Sequence, residues 1–64
     1  MDNKVVAERL TALRGERTQK EIADAAHIAQ STYAMYELGL RRPTDENKIA
    51  LAAVFHKSVQ EIFF

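Results

Sequence analysis

Residues 18–36, TQKEIADAAHIAQSTYAMY, constrain this chain more than any other stretch. Ile22, Ala26, Ile28, Tyr33 and Tyr36 are the apolar positions, and their spacing predicts two short helices folded sharply across a tight turn. Ala23 falls where the two would cross. A small side chain is required there, because helices meeting at roughly 90–120° bring their backbones close together. Thr18 and Glu21 have the spacing of a capping box, in which each side chain satisfies a free backbone donor at the start of the first helix of the pair. The second helix opens with Gln30, Ser31 and Thr32, whose side chains can hydrogen-bond the edges of bases. A helix-turn-helix uses its second helix in this way, with the N-terminal turn in the major groove, so the stretch points to double-stranded DNA as partner.

The rest of the chain predicts three more helices and no strand. Val6, Leu10 and Leu13 make one apolar stripe on a first helix from about Asn3 to Arg14, with Gly15 just past its end, where a left-handed residue is commonly needed. The third helix should run over residues 30–38 and stop at Gly39. Arg42-Pro43 then breaks the chain, since a residue before proline is pushed out of helical geometry. Thr44 caps a fourth helix with Asp45 and Glu46 in its first turn, where the helix dipole favours anions. Its core stripe is Leu51, Ala52 and Phe55, joined by the stem of Lys48. Ser58 and Glu61 form a second capping box, opening a last short helix that buries Val59 and Ile62. The expected architecture is all-α, a compact five-helix bundle containing the helix-turn-helix.

With 64 residues there is room for one domain, 1–64, and such a chain buries only ~60% of its unfolded surface. There is no cysteine, which excludes a disulfide staple or a thiolate metal site. No apolar run approaches the ~20 residues of a membrane span, and the opening MDNKVVAERL has no signal-peptide pattern. A cytoplasmic protein with no membrane partner and no small-molecule effector domain is the expectation. The two histidines lie 29 positions apart, each at a predicted turn, with no third ligand at metal spacing. Gly15 and Gly39 are the only glycines, so no glycine-rich phosphate loop exists. These features predict a non-enzyme without cofactor or metal.

The chain resembles the phage repressor and Cro-type helix-turn-helix family, often called the XRE family. The matching residues are Leu13-Arg14, Thr18-Gln19, Glu21-Ile22-Ala23, Ser31-Thr32, Tyr36-Glu37, Gly39, Arg42-Pro43, Leu51-Ala52, Ser58-Val59 and Glu61-Ile62-Phe63. The short segment around Thr18 is unspecific alone; the ordered set across almost the whole chain is not. The resemblance implies a lambda-repressor-like DNA-binding domain that acts as a sequence-specific transcriptional regulator. It further implies repression from a near-palindromic operator, bound as a homodimer. Departures from the family pattern are His27 and His56 at turn positions that usually hold glycine, and Ala29 where Ser or Thr usually caps the reading helix. The loop 14–18 is also about two residues shorter than in typical members.

Carried onto this chain, the resemblance makes Gln30 and Ser31 candidates for base contact. Gln30 can pair with adenine through its amide. Met35 falls one turn further along the same face, where it either meets a thymine methyl group or fills a gap in the core. Gln19, at the start of the second helix, is a candidate phosphate contact, as are Thr32, Arg41 and Arg42; Arg17 and Lys20 are weaker ones. Each has a bland alternative as a solvated polar residue. Tyr33 and Tyr36 are expected in the core with their hydroxyls reaching its rim. Glu37, the only charge between Ile28 and Leu40, is expected to pair with Arg14 as its family counterpart does.

The chain ends Ile62-Phe63-Phe64, and Phe63 and Phe64 are expected to point away from the core and form a two-fold contact. The alternative folds one of them back inside. Nine Lys and Arg balance nine Asp and Glu, whereas nucleic-acid binders usually carry a basic excess. That balance keeps open a rival reading, a protein-interaction module of the same fold that has lost DNA binding.

Overall fold

The computed structural model describes residues 2–64. Five helices follow one another: α1 (Asn3–Arg14), α2 (Gln19–Ala26), α3 (Gln30–Glu37), α4 (Asp45–Phe55) and α5 (Val59–Phe63). Four of the five start on a side-chain cap, with Asp2, Thr18, Thr44 and Ser58 each accepting a backbone N–H at 3.0–3.2 Å. Both capping boxes close, because Glu21 and Glu61 accept in return from the backbone N–H of Thr18 and Ser58. Only α3 opens without a side-chain cap, since Ala29 has nothing to offer.

The helix ends match the turn chemistry that the residues allow. His27 and His56 adopt left-handed backbone at φ 58° and 56° and terminate α2 and α4. Behind each, the next N–H reaches back to an earlier carbonyl, Ile28 to Ala23 at 2.9 Å and Lys57 to Ala52 at 3.0 Å. Gly39 (φ 73°) closes α3 in the same way, with Leu40 N–H bonded to the Met35 carbonyl. This six-residue closure satisfies carbonyls that would otherwise be orphaned.

One core holds the bundle together, and Leu10, Ile22, Tyr33, Leu51 and Ile62 are its largest fully buried side chains. Ala23 is completely enclosed at the α2–α3 corner, as its small size permits. The Arg9 guanidinium ties α1 to the last turn by donating to the carbonyls of Glu61, Ile62 and Phe64 at 3.1–3.3 Å. A cation at a helix C-terminus both pairs and opposes the dipole there.

Two expectations fail in the core. Phe63 does not point away; it is 3% exposed and packs with Ile62 inside the bundle. Val59, Ile62 and Phe63 stand at i, i+3 and i+4, so a helix places all three on one face. Only Phe64 remains outside, 60% exposed, with the Lys48 ammonium 4.9 Å from its ring centre. The Tyr33 hydroxyl does not reach the rim either, because the side chain is fully enclosed. Tyr36 is also buried, and its hydroxyl accepts a hydrogen bond from the Asn47 amide at 2.9 Å, linking α3 to α4.

Candidate nucleic-acid interface

The rotation of α3 is set by Tyr33 and Tyr36, which anchor its inner face in the core. The opposite face is therefore turned to solvent. Gln30 and Ser31 are exposed there and make no side-chain hydrogen bond to the described residues. Met35 lies on the same face and is 40% exposed, so it does not fill a core gap. Thr32 is half-buried at the edge of the first turn. The three candidate base readers thus share one surface.

At the C-terminal end of α3 a polar cluster joins three helices. Arg14 on α1 donates to both carboxylate oxygens of Glu37 on α3, at 2.8 and 3.0 Å. Gln19, the first residue of α2, donates its side-chain amide to the same carboxylate at 3.0 Å. The Glu37 side chain is 5% exposed. Burial alone would raise its pKa, but the bonds from Arg14, the neighbouring Tyr33 phenol and the bond from Gln19 outweigh burial and hold the carboxyl below its ordinary value. The Tyr33 hydroxyl lies near this carboxylate without the geometry of a hydrogen bond. Burial first, and the adjacent negative charge second, push that phenol far above its usual range.

The cluster changes the part played by Gln19. In the free protein its amide nitrogen faces inward, so the residue is half-buried instead of presenting a free head group. One amide hydrogen is left for an outside acceptor. The Arg14–Glu37 pair was expected from the family resemblance, and the two residues do meet. Sequence reasoning missed that Gln19 completes the pair, since nothing in the spacing of α1, α2 and α3 brings Gln19 to Glu37.

The basic residues divide into two groups. Arg9 and Arg14 are engaged with their own chain, and so is Arg17. Its guanidinium donates to the Leu13 and Arg14 carbonyls at 3.0 and 3.3 Å and sits 5.4 Å from the centre of the Phe55 ring. Arg17 therefore caps α1 and covers the core edge. Lys20 pairs with Asp24 one turn on, at 2.7 Å, and both remain well exposed. Arg41 and Arg42, in the loop after α3, are exposed and have no partner among the described residues.

Among the described residues no group of three or more His, Cys, Asp or Glu side chains is placed to hold a metal ion, and no helix is long and apolar enough to cross a membrane.

Two helices packed across a left-handed turn, the second showing an unpaired polar first turn, define a helix-turn-helix protein. Residues 9–62 match the helix-turn-helix family, and the chain belongs to that family in its XRE-type form. A similar protein is the HTH-type transcriptional regulator AnsR of Bacillus subtilis (strain 168), 42% identical over 57 residues. That match takes in 86% of this chain and 49% of AnsR, so the chain spans about half the length of the curated relative. No solved structure matches significantly.

Proposed function

We propose that this protein is a sequence-specific double-stranded DNA-binding transcriptional regulator, acting in the cytoplasm as a repressor by occupying promoter DNA. The observation that carries the reading is the exposed, unpaired first turn of α3, held outward by buried Tyr33 and Tyr36. Gln30, Ser31 and Met35 are its base contacts. Gln19, Thr32, Arg41 and Arg42 are its phosphate contacts, the two arginines standing ready on the adjoining loop. The similarity to a protein named as a transcriptional regulator supports the same reading.

The operator is near-palindromic and bound by a homodimer, whose two α3 helices enter successive major grooves ~34 Å apart. Phe64 is the proposed dimer contact, being a large apolar side chain exposed at the end of α5. Phe63 takes no part in that contact, because the core encloses it.

Selection of bound duplexes from random DNA tests the reading. Enrichment of sites with two inverted half-sites, bound by a species of dimer mass in light scattering, is expected. Failure to enrich any sequence would favour the second reading, a protein-interaction module without DNA binding. Zero net charge and the internal engagement of Arg9, Arg14 and Arg17 support that alternative.

A further inference from the structure

Three hydrogen bonds hold the Glu37 carboxylate in the free protein. Arg14 donates to both oxygens at 2.8 and 3.0 Å, and the Gln19 amide donates to Oε1 at 3.0 Å. A further donor stands beside them unused. The Tyr33 side chain is fully enclosed, and among the described residues its hydroxyl is the one buried side-chain oxygen or nitrogen without a hydrogen-bond partner. A phenol in that position has given up water and gained nothing in return, which is unfavourable. Its polar neighbour is Glu37, which adds to the effect of burial in raising the phenol's pKa.

Two acceptors compete for the Gln19 amide. In the free protein its nitrogen faces inward onto Glu37, whereas a phosphate contact draws it outward. The Glu37 side chain is only 5% exposed, so water has little access to the vacated side of the carboxylate. A buried anion that loses a donor is destabilised, and the gain at the phosphate is offset by the loss at Glu37. A hydroxyl hydrogen rotates to suit its acceptor, so Tyr33 can serve the carboxylate once the amide has left.

We propose that Tyr33 is the reserve donor of Glu37: when Gln19 turns from the carboxylate to a DNA phosphate, the Tyr33 hydroxyl takes its place. The bonding of Glu37, and with it the link from α3 to α1, is then kept in both states. Tyr33 is a positioning residue that touches no DNA. The inference rests on the reading of Gln19 as a phosphate contact, but the exchange itself is testable without DNA.

Urea unfolding of the full chain carrying Tyr33→Phe, Gln19→Ala or both tests the exchange. Each single variant should unfold much as the unaltered protein does, because one of the two donors remains. The double variant leaves Glu37 short of a donor, and its folding constant should lie about tenfold below what the two single changes predict together. A clear loss from Tyr33→Phe alone would show that the hydroxyl is already bonded in the free protein, and strictly additive losses would show that no exchange occurs. Either result overturns the proposal. Fluorescence anisotropy with a mixed-sequence DNA duplex then tests the link to binding. Tyr33→Phe should weaken binding about tenfold in the unaltered background and not at all in the Gln19→Ala background. Undiminished affinity of Tyr33→Phe, or an equal loss in both backgrounds, would overturn the proposal and leave DNA recognition intact. If the unaltered protein binds no duplex, the proposal falls together with the function on which it rests.

Discussion

Arg14 and Glu37, 23 positions apart, meet through two hydrogen bonds of 2.8 and 3.0 Å and so fasten the C-terminal end of α3 to α1. The pair is asymmetric in its surroundings, with the Arg14 side chain 22% exposed and that of Glu37 5%. Desolvation offsets much of the attraction in such a pair, so its main effect is on geometry. Because Gln19 donates to the same carboxylate, the start of α2 and the end of α3 share one anchor. The orientation of α3 and the placing of a phosphate candidate are thereby coupled.

Glu37→Gln should lower stability at neutral pH by about 2 kcal/mol, the scale of hydrogen bonds to a charged group. The Glu37 pKa is lowered in the folded protein, so its contribution is complete above the unfolded value of about 4.3 and is lost as pH falls through the folded value. Urea unfolding of both proteins from pH 7 down to pH 3 should therefore show the gap between them closing in acid. A gap that stays constant with pH would mean that the charge of Glu37 does not contribute.

The two histidines offer a test of backbone strain. A side chain at φ 58° or 56° is less comfortable than glycine, which has no Cβ to crowd the preceding carbonyl. His27→Gly and His56→Gly should each stabilise the protein by about 0.5–1 kcal/mol despite the greater freedom glycine has when unfolded. Thermal unfolding decides this, and a lower melting temperature in both variants would show that the imidazoles make interactions worth more than the strain.

Much of this fold was legible because local signals agreed with each other. The capping pairs Thr18–Glu21 and Ser58–Glu61, the small Ala23 at a crossing and the turn at Gly39 each follow from neighbouring residues. The errors came where tertiary contacts decide. A run of three apolar residues at the chain end reads as exposed, but the spacing of Phe63 from Val59 puts it on the buried face. Within the candidate site, the outward polar turn was readable from Gln30 and Ser31. The inward bond of Gln19 and the capping role of Arg17 were not, because both depend on how the helices approach.

Arg42 and Arg17 are both basic and exposed, yet only Arg17 is bonded to its own chain among the described residues. Arg42→Ala should weaken binding to all DNA sequences alike and reduce the slope of log affinity against log salt by ~1, with little effect on folding. Arg17→Ala should instead lower stability, since it removes two bonds to the end of α1 and the cover over Phe55. Titrations at several salt concentrations, paired with thermal melts, separate the two. An unchanged salt slope for Arg42→Ala would return that residue to the solvated loop.

If the first turn of α3 reads bases, the affinity of the Gln30→Ala variant shows it most directly. The Gln30 side chain is exposed and hydrogen-bonds to no described residue, so its loss should leave the fold intact. On the selected operator the variant should bind more weakly by ~1–3 kcal/mol, the discrimination supplied by one paired amide contact to adenine. On unrelated duplex DNA its affinity should match that of the unaltered protein. Equal losses on both kinds of DNA, or no loss on either, would contradict base reading by this helix.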